Sequence, residues 1–525
     1  MINHIIVWSV RKKLIVLLAV FLLTLLSLYF LQKLRLDALP DLTPPQVIVQ
    51  VDFPNQSAKI IEEQVTYPLT SSLMAIANVE SVRGISGYEN ALIYVIFKDK
   101  TDLYWARSRV LEQLAQVSNL PPNAKIALGS DSTSVGWAYQ YALISKTKDL
   151  AELRSLQDFY YKYALLGIDG VSEVATIGGF RQNYEITLDN AKLVRYDVDL
   201  AEVTAAVARA NNESGGGVIF EAGFEKIIRA NGYIKGIEDL ENIVIRVIDS
   251  TPLRVSDVAS VRLVPAPRRG SADLNGQGEV VGGIVMVKYG GNTYDTLQRI
   301  KEKIAHLNQS HNEVQIQSVY DRSELIQKAI FHLLGTLLEE SVIVLLVSAV
   351  FLLHFRSALI IIVTLPLCVL YSFLLMAIFG IESSIMSLGG IAIAIGAMVD
   401  AAIVMIENAH KNLAHKPVYT EYERRETILK SAQQVGAPVF FALIIIVVSF
   451  LPIFALSGQE ERLFTPLAFT KTFAMLIGAL LSITIVPILM LICIKGKIIP
   501  EDKNVINTFF IRIYEKALTF ALKIK

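Results

Sequence analysis

Two acids and a set of thioethers, all in otherwise apolar sequence, carry most of the chemistry open to this chain. Residues 385–408, IMSLGGIAIAIGAMVDAAIVMIEN, hold Asp400 inside the apolar run and Glu407 near its end. The run is long enough to cross a bilayer as a helix, which takes about 20 residues. An ionisable group near mid-membrane costs on the order of 3 kcal/mol and ordinarily faces a bundle interior, a partner charge or a water path. At 100° per residue Asp400 and Glu407 fall on nearly one face, two turns apart, and Met398 and Met405 repeat that spacing on roughly the opposite face. The acids are suited to taking up and releasing protons; the structural alternative for Asp400 is a satisfied interhelical hydrogen bond, and for Glu407 a side chain reaching the interface. Five of the nine methionines, Met386, Met398, Met405, Met475 and Met490, lie in two apolar runs. Thioether sulfur is a soft donor suited to Cu(I) or Ag(I) and poor for Zn(II), although methionine is equally an ordinary packing residue.

The helix carrying these groups is slim: Gly389, Gly390, Gly396, Ala397, Ala401 and Ala402 let neighbours approach closely, as small residues do between membrane helices. It is therefore expected to be central and not lipid-facing. Around it the chain divides into membrane and soluble parts, since 53% hydrophobic and 19% charged residues are too apolar for a soluble protein and too charged for a wholly buried one. Arg11, Lys12 and Lys13 precede an apolar run over 14–30 that reads as an uncleaved first span with its N-terminus in the cytoplasm. Five more spans are expected at 334–354, 359–379, 385–407, 435–456 and 467–494. The loops between them alternate basic and non-basic, as the positive-inside rule requires.

Between the first two spans lies a large region expected on the far side of the membrane. Alternating strands at 47–51, 81–86 and 92–97, a segment at 125–128 and helices over 60–74 and 105–116 give a split βαβ, ferredoxin-like order. The order restarts at 139–144, breaks after 174–177, and resumes at 280–287. The residues between form a β-rich insert, with Ser214-Gly-Gly-Gly217 read as a loop. The expected divisions are 1–31, first span; 32–129, first α+β unit; 130–178 with 267–322, second unit; 179–266, insert; 323–496, spans two to six; and 497–525, an amphipathic helix along the cytoplasmic surface.

Other chemistry is thinly represented. No GxxxxGK, HExxH, GxSxG or paired CxxC occurs, so ATP-driven transport within this chain is not expected. Lysine plus arginine equals aspartate plus glutamate, 49 each, which gives no global charge to attract nucleic acid. Cys368 and Cys493 read as small buried residues. Arg83 and Arg109 read as solvated charges, Lys471 as interfacial, and His410 and His415 as surface residues of a basic loop.

The run GGIAIAIGAMVDAAIVMIENAHK at 389–411 closely resembles the fourth transmembrane helix of the heavy-metal branch of the resistance-nodulation-division exporters. The resemblance extends to DLYWARSRVLE at 102–112, VGWAYQYAL at 135–143, DRSELI at 321–326 and GQEERLFTPLAFTKTFAM at 458–475. It implies an α-helical membrane bundle of six spans plus a periplasmic α+β region of ferredoxin-like porter units with a β-rich docking insert. It further implies a secondary transporter, not an enzyme, that exchanges protons for Cu(I) or Ag(I) with no cofactor. Asp400 and Glu407 match the branch's proton-relay carboxylates, and Met386, Met398, Met405, Met475 and Met490 its methionine ladder, with Met398 paired to Met475 and Met405 to Met490. Those pairs fit a plain side-by-side arrangement poorly, because one helix separates its two methionines by about 10 Å and the other by about 22 Å. Ala394 favours the monovalent members, since divalent zinc, cobalt and cadmium members carry an acid at that place.

The implied partners are a periplasmic adaptor, an outer-membrane channel and two further copies in a homotrimer, all at the inner membrane, with no nucleic acid. Members of the branch are about twice this length, so the chain matches an N-terminal half. The lysine partner of the relay and a periplasmic three-methionine site belong to the other half, and transport is expected only when such a half is supplied. The rival readings are an exporter of divalent metals or organic compounds, and a non-transporting remnant or membrane binding module.

Overall fold

The computed structural model describes residues 1–132, 135–268, 270–310, 313–352, 354–414, 420–495, 498 and 505–523. His415 and Lys497 lie outside the described residues. Six helices among these are long and apolar enough to cross a membrane: α1 (Lys13–Leu31), α2 (Arg322–Leu352), α3 (Phe355–Phe379), α4 (Ile385–Leu413), α5 (Glu421–Ser449) and α6 (Gly458–Cys493). A short helix, Ile2–Arg11, precedes them and packs against α5 and α6. The helix Val505–Lys523 follows them, and its side chains from Ile511 onward are exposed.

Between α1 and α2 the chain alternates strand and helix because its apolar residues alternate period two with period near 3.6. β1 (Gln46–Asp52) buries Val47, Val49 and Val51 on one face. With β2 (Val79–Ser86), β3 (Asn90–Phe97) and β4 (Lys125–Leu128) it forms a sheet in the order β2-β3-β1-β4, all neighbours antiparallel. The helices of this unit cover one face with Ile61, Val65, Leu69, Ala106 and Val110. Fully burying each of the larger of these is worth roughly 1.5–3 kcal/mol. Asp102 caps the helix Leu103–Gln116 through Trp105 N, 2.7 Å away.

The second unit repeats this pattern. β5 (Trp137–Ile144) and β6 (Val171–Gly178) come first. A β-rich insert follows: β7 (Gln182–Leu188), β8 (Ser214–Glu221), β9 (Phe224–Ala230), β10 (Val244–Ile248), β11 (Thr251–Arg254) and β12 (Ala259–Pro265). β13 (Val281–Val287) and β14 (Gln315–Asp321) then complete a sheet ordered β14-β5-β13-β6. Position for position this is the strand order of the first unit, with the insert standing between the second and third strands. Both units also place a π-helical turn inside their first helical segment, at Glu62–Thr66 and Gln157–Tyr161. Gly283 allows β13 to lie against β5, since a Cβ there would sit 2.4 Å from the Tyr141 ring.

Ser214-Gly-Gly-Gly217 is not a loop. It begins β8, whose pairing with β9 supplies the backbone hydrogen bonds a glycine run lacks by itself, and the turn is made by Ala222 and Gly223, both at positive φ. This hairpin stands free of the rest of the insert, with Phe220 and Ile227 each 80% exposed.

The soluble units are tied to the membrane helices by a short strap after α1. Asp37 N donates to Ser383 O at 3.0 Å, Ser383 N to Arg35 O at 2.9 Å, and Ile385 N, the first amide of α4, to Ala38 O at 3.1 Å. On the other side of the strap, Tyr294 N donates to Leu36 O at 3.2 Å. At the start of α2, Asp321 Oδ1 accepts from Ser323 N at 2.8 Å. Arg322, 5% exposed, donates from Nη2 to the Val135 and Trp137 carbonyls, with Nη1 3.5 Å from Asp37 Oδ1.

Candidate functional site

α4 starts at Ser384, whose hydroxyl accepts from Ser387 N while Ser387 Oγ accepts from Ser384 N at 2.7 Å. From there the helix runs 29 residues without proline, so its two faces stay in register from end to end. One face is buried: Gly390, Ile391, Ala394, Ile395, Met398, Val399, Ala402, Met405, Ile406 and Ala409. It packs chiefly on α6, and α2, α3 and α5 also touch α4. Where α4 and α6 come closest, a Cβ on Gly390 would lie 2.5 Å from the Leu467 carbonyl oxygen and 2.2 Å from Thr470 Oγ1. About two turns on, Met398 Cγ lies 3.0 Å from where a Cβ on Gly478 would stand. The second contact is made by a flexible side chain, the first by backbone.

These two contacts fix how the methionines lie. Met405, Met475 and Met490 are fully buried and Met398 is 5% exposed, all in the one apolar core of the bundle; Met386, at the outer end, is half-buried. α4 and α6 run parallel, with Met398 level with Gly478. Met475 therefore stands about 4–5 Å along the axis before Met398, Met405 about 10 Å after it, and Met490 about 18 Å after it. The unequal spacing of methionines on the two helices becomes a stagger along the axis, with all four side chains buried in the core that α4 and α6 share. Beside Met398 a narrow cavity of about 10 Å³ is lined by Thr364, Cys368, Gly478 and Ser482, space for roughly one water. Among the described residues no three His, Cys, Asp or Glu side chains cluster as metal ligands, so a metal held in this core would rest on thioether sulfur.

The acids lie elsewhere. Asp400 and Glu407 are exposed, in a stripe with Ile393, Gly396, Val404 and Lys411. α4 is thus central on its methionine face, as its small residues lead one to expect, and leaves its acidic stripe uncovered among the described residues. Small side chains permit a neighbour but do not supply one, and none of the described helices of this chain covers the acidic stripe. Asn408 and Asn412, bordering that stripe, bind α5 through Ser431 and Gln434 at 2.8–3.2 Å.

At the outer mouth of α4 a cleft of about 500 Å³ is lined by Arg35, Asp37, Asp41, Glu382, Arg322 and Arg462, among others. Burial, reinforced by Asp37 and Asp41 and opposed by Arg35, pushes the Glu382 carboxyl above its ordinary range. Arg462 is paired with Asp99 and donates to Leu42 O at 3.3 Å. Of the other charges, Arg109 pairs with Glu112 at 2.6 Å and Lys471 Nζ sits 3.5 Å from the Phe450 ring centre.

At the inner end, His410 is not a surface residue: it is 6% exposed, and Ser357 Oγ lies 2.7 Å from its Nε2. Its neighbours Lys411 and His415 suggest a basic loop in sequence, but the helix continues to Leu413 and turns His410 inward. Cys368 is buried and Cys493 half-buried.

The sequence pattern of the AcrB/AcrD/AcrF family matches residues 5–525. Over 529 residues, 99% of this chain, the sequence is 46% identical to the cation efflux system protein CusA of Escherichia coli K12. It is 45% identical to the putative cation efflux system protein SilA of Salmonella typhimurium over 99% of the chain, and 34% to the cation efflux system protein CzcA of Alcaligenes sp. CT14, again over 99%. In each case it covers 50% of the relative. The crystal structure of a heavy metal efflux pump superposes with a TM-score of 0.81 at 30% identity, covering 92% of this chain and 48% of that one. The chain spans about half the length of the curated relatives it matches.

Proposed function

This chain belongs to the AcrB/AcrD/AcrF family, in its heavy-metal efflux branch, and from that membership we propose that it serves proton-driven export of Cu(I) or Ag(I). Its setting is the inner membrane, and the family is one of transporters, not enzymes. The soft ion moves along the methionines of α4 and α6, and Asp400 and Glu407 on the opposite face of α4 take up and release the protons that drive it. The observation that carries this reading is the set of four methionines of α4 and α6, none more than 5% exposed, in the one apolar core of the bundle. Ala394 is fully buried on the same face, so the α4 seam carries no hard carboxylate to favour a divalent ion.

In this reading the two α+β units are periplasmic porter subdomains and the insert a docking subdomain. The exposed acidic stripe of α4 is the face on which a second repeat completes the relay. A periplasmic adaptor, an outer-membrane channel and trimer formation complete the pump. Divalent export is the second reading, favoured by the 34% identity to CzcA proteins, one of them described as a cobalt-zinc-cadmium resistance protein. The test is silver tolerance of a sensitive strain carrying this chain together with a second repeat. Replacing Met398, Met405, Met475 and Met490 by isoleucine should abolish tolerance; unchanged silver tolerance with lost zinc tolerance favours the divalent reading. Asp400→Asn should abolish tolerance too, whereas a binding module would keep its phenotype.

A further inference from the structure

We propose that His410, Ser357 and His354 form a proton exit wire from the inner end of α4 to the cytoplasmic solvent, an inference that rests on the proton-driven reading above. The three side chains join three helix ends. His410 is in the last turn of α4, Ser357, fully buried, is in the first turn of α3, and His354 immediately precedes α3. Ser357 Oγ lies 2.7 Å from His410 Nε2 and 2.8 Å from His354 Nδ1, and His354 Nε2 lies 3.0 Å from the Lys495 carbonyl oxygen just beyond α6. The two rings are 5.3 Å apart at 70°.

The hydrogen positions follow from the last of these bonds. A backbone carbonyl only accepts, so His354 Nε2 carries a hydrogen, and in the neutral ring Nδ1 is then an acceptor. Ser357 must donate to that nitrogen, which leaves its oxygen to accept from His410 Nε2–H. Every hydrogen thus points outward, and His410 Nδ1 keeps a lone pair that accepts no hydrogen bond among the described residues. A proton arriving at that nitrogen displaces the Nε2 proton of His410 to Ser357 Oγ. The Ser357 proton passes to His354 Nδ1, and the Nε2 proton of His354 leaves to solvent beside Lys495. Each centre gains one proton and loses one, and the file resets when its hydrogens reorient.

Glu407 lies one turn before His410, where side chains three apart are neighbours with Cβ atoms about 5–6 Å apart. A purely structural tie between helix ends needs one hydrogen bond; it does not need two imidazoles ordered in one direction about a hydroxyl.

Two measurements test the wire. In lipid nanodiscs holding the full chain with ¹⁵N-labelled histidine, both rings should be Nε2–H tautomers near neutral pH, and Ser357→Ala should release His410 to a tautomer mixture while the Lys495 carbonyl still holds His354. An Nδ1–H ring at either position, or spectra unchanged by Ser357→Ala, overturns the proposal. In everted vesicles carrying the chain with a second repeat, His354→Ala should slow silver-dependent proton movement by roughly 10²-fold, the lower end of what positioned proton transfer contributes. Imidazole added on the exposed cytoplasmic face should restore it, which a structural role would not allow. If Asp400→Asn abolishes that movement while His354→Ala and Ser357→Ala do not, the wire is wrong and the antiport reading stands. If Asp400→Asn changes nothing, the antiport reading fails, and the tautomers still decide whether the wire exists.

Discussion

The α4–α6 seam predicts opposite outcomes for two glycine substitutions that look alike in sequence. Gly390→Ala would place a Cβ 2.5 Å from the Leu467 carbonyl, about 1 Å inside ordinary contact, and that oxygen belongs to helix backbone. The helices must separate or bend, and overpacking of this kind costs about 1–3 kcal/mol, with this site in the upper part of that range because the Leu467 backbone remains in the way even when the Thr470 side chain turns aside. Alanine recovers about 1 kcal/mol of helix propensity, so the net loss is on the order of 1–2 kcal/mol. Gly478→Ala meets only the Met398 side chain, its Cγ at 3.0 Å and its Sδ at 3.5 Å, which has to give by only a few tenths of an ångström. There the same propensity gain roughly cancels a small repacking cost, and the net change is near zero. The assay is the unfolding midpoint of the purified chain in a titration from mild detergent into dodecyl sulfate. Equal midpoints for the two variants, or a larger loss at Gly478, would refute the seam geometry on which the methionine stagger depends.

Further outcomes follow from the junction between strap, cleft and bundle. Arg322→Ala should destabilise the chain by about 3 kcal/mol, since Asp37 would be left partly buried without its partner; the same detergent titration checks it. Glu382 is held above its ordinary value near 4.5, so over the window just above that value the folded chain keeps a proton the unfolded chain has released. The Glu382 contribution to stability is therefore greatest at low pH and falls as pH rises through that window. Glu382→Gln should flatten this dependence in thermal melts taken across it, and an unchanged slope would remove Glu382 as its source.

Much of α4 is legible from spacing alone. Residues seven apart return to one face of a helix, which separates Asp400 and Glu407 from Met398 and Met405 before any neighbour is known. Spacing does not say which face is covered, because that depends on what packs there. Asp400 therefore reads as enclosed in sequence and stands exposed in this chain. The stagger of Met475 and Met490 was likewise hidden, since it depends on which residues of α6 stand level with Gly390 and Met398. His410 was missed because its sequence neighbours are basic and hydrophilic; a histidine four residues beyond the apolar Ile406, on the same helical face, was the available signal. Alternation marks β1 and β3 plainly through Val47, Val49 and Val51 and through Ile93 and Val95. Gly215 to Gly217 carry no side-chain pattern at all, and only the partner strand β9 makes them a strand.

The central claim is that a soft cation lodges among thioether sulfurs on the buried face of α4. X-ray absorption at the silver edge, on the full chain in nanodiscs loaded with Ag(I), measures that environment directly. Sulfur-only scattering that disappears when Met398, Met405, Met475 and Met490 are all changed to isoleucine is the predicted result. Silver bound through nitrogen or oxygen, or a sulfur signal that survives the substitution, would contradict it.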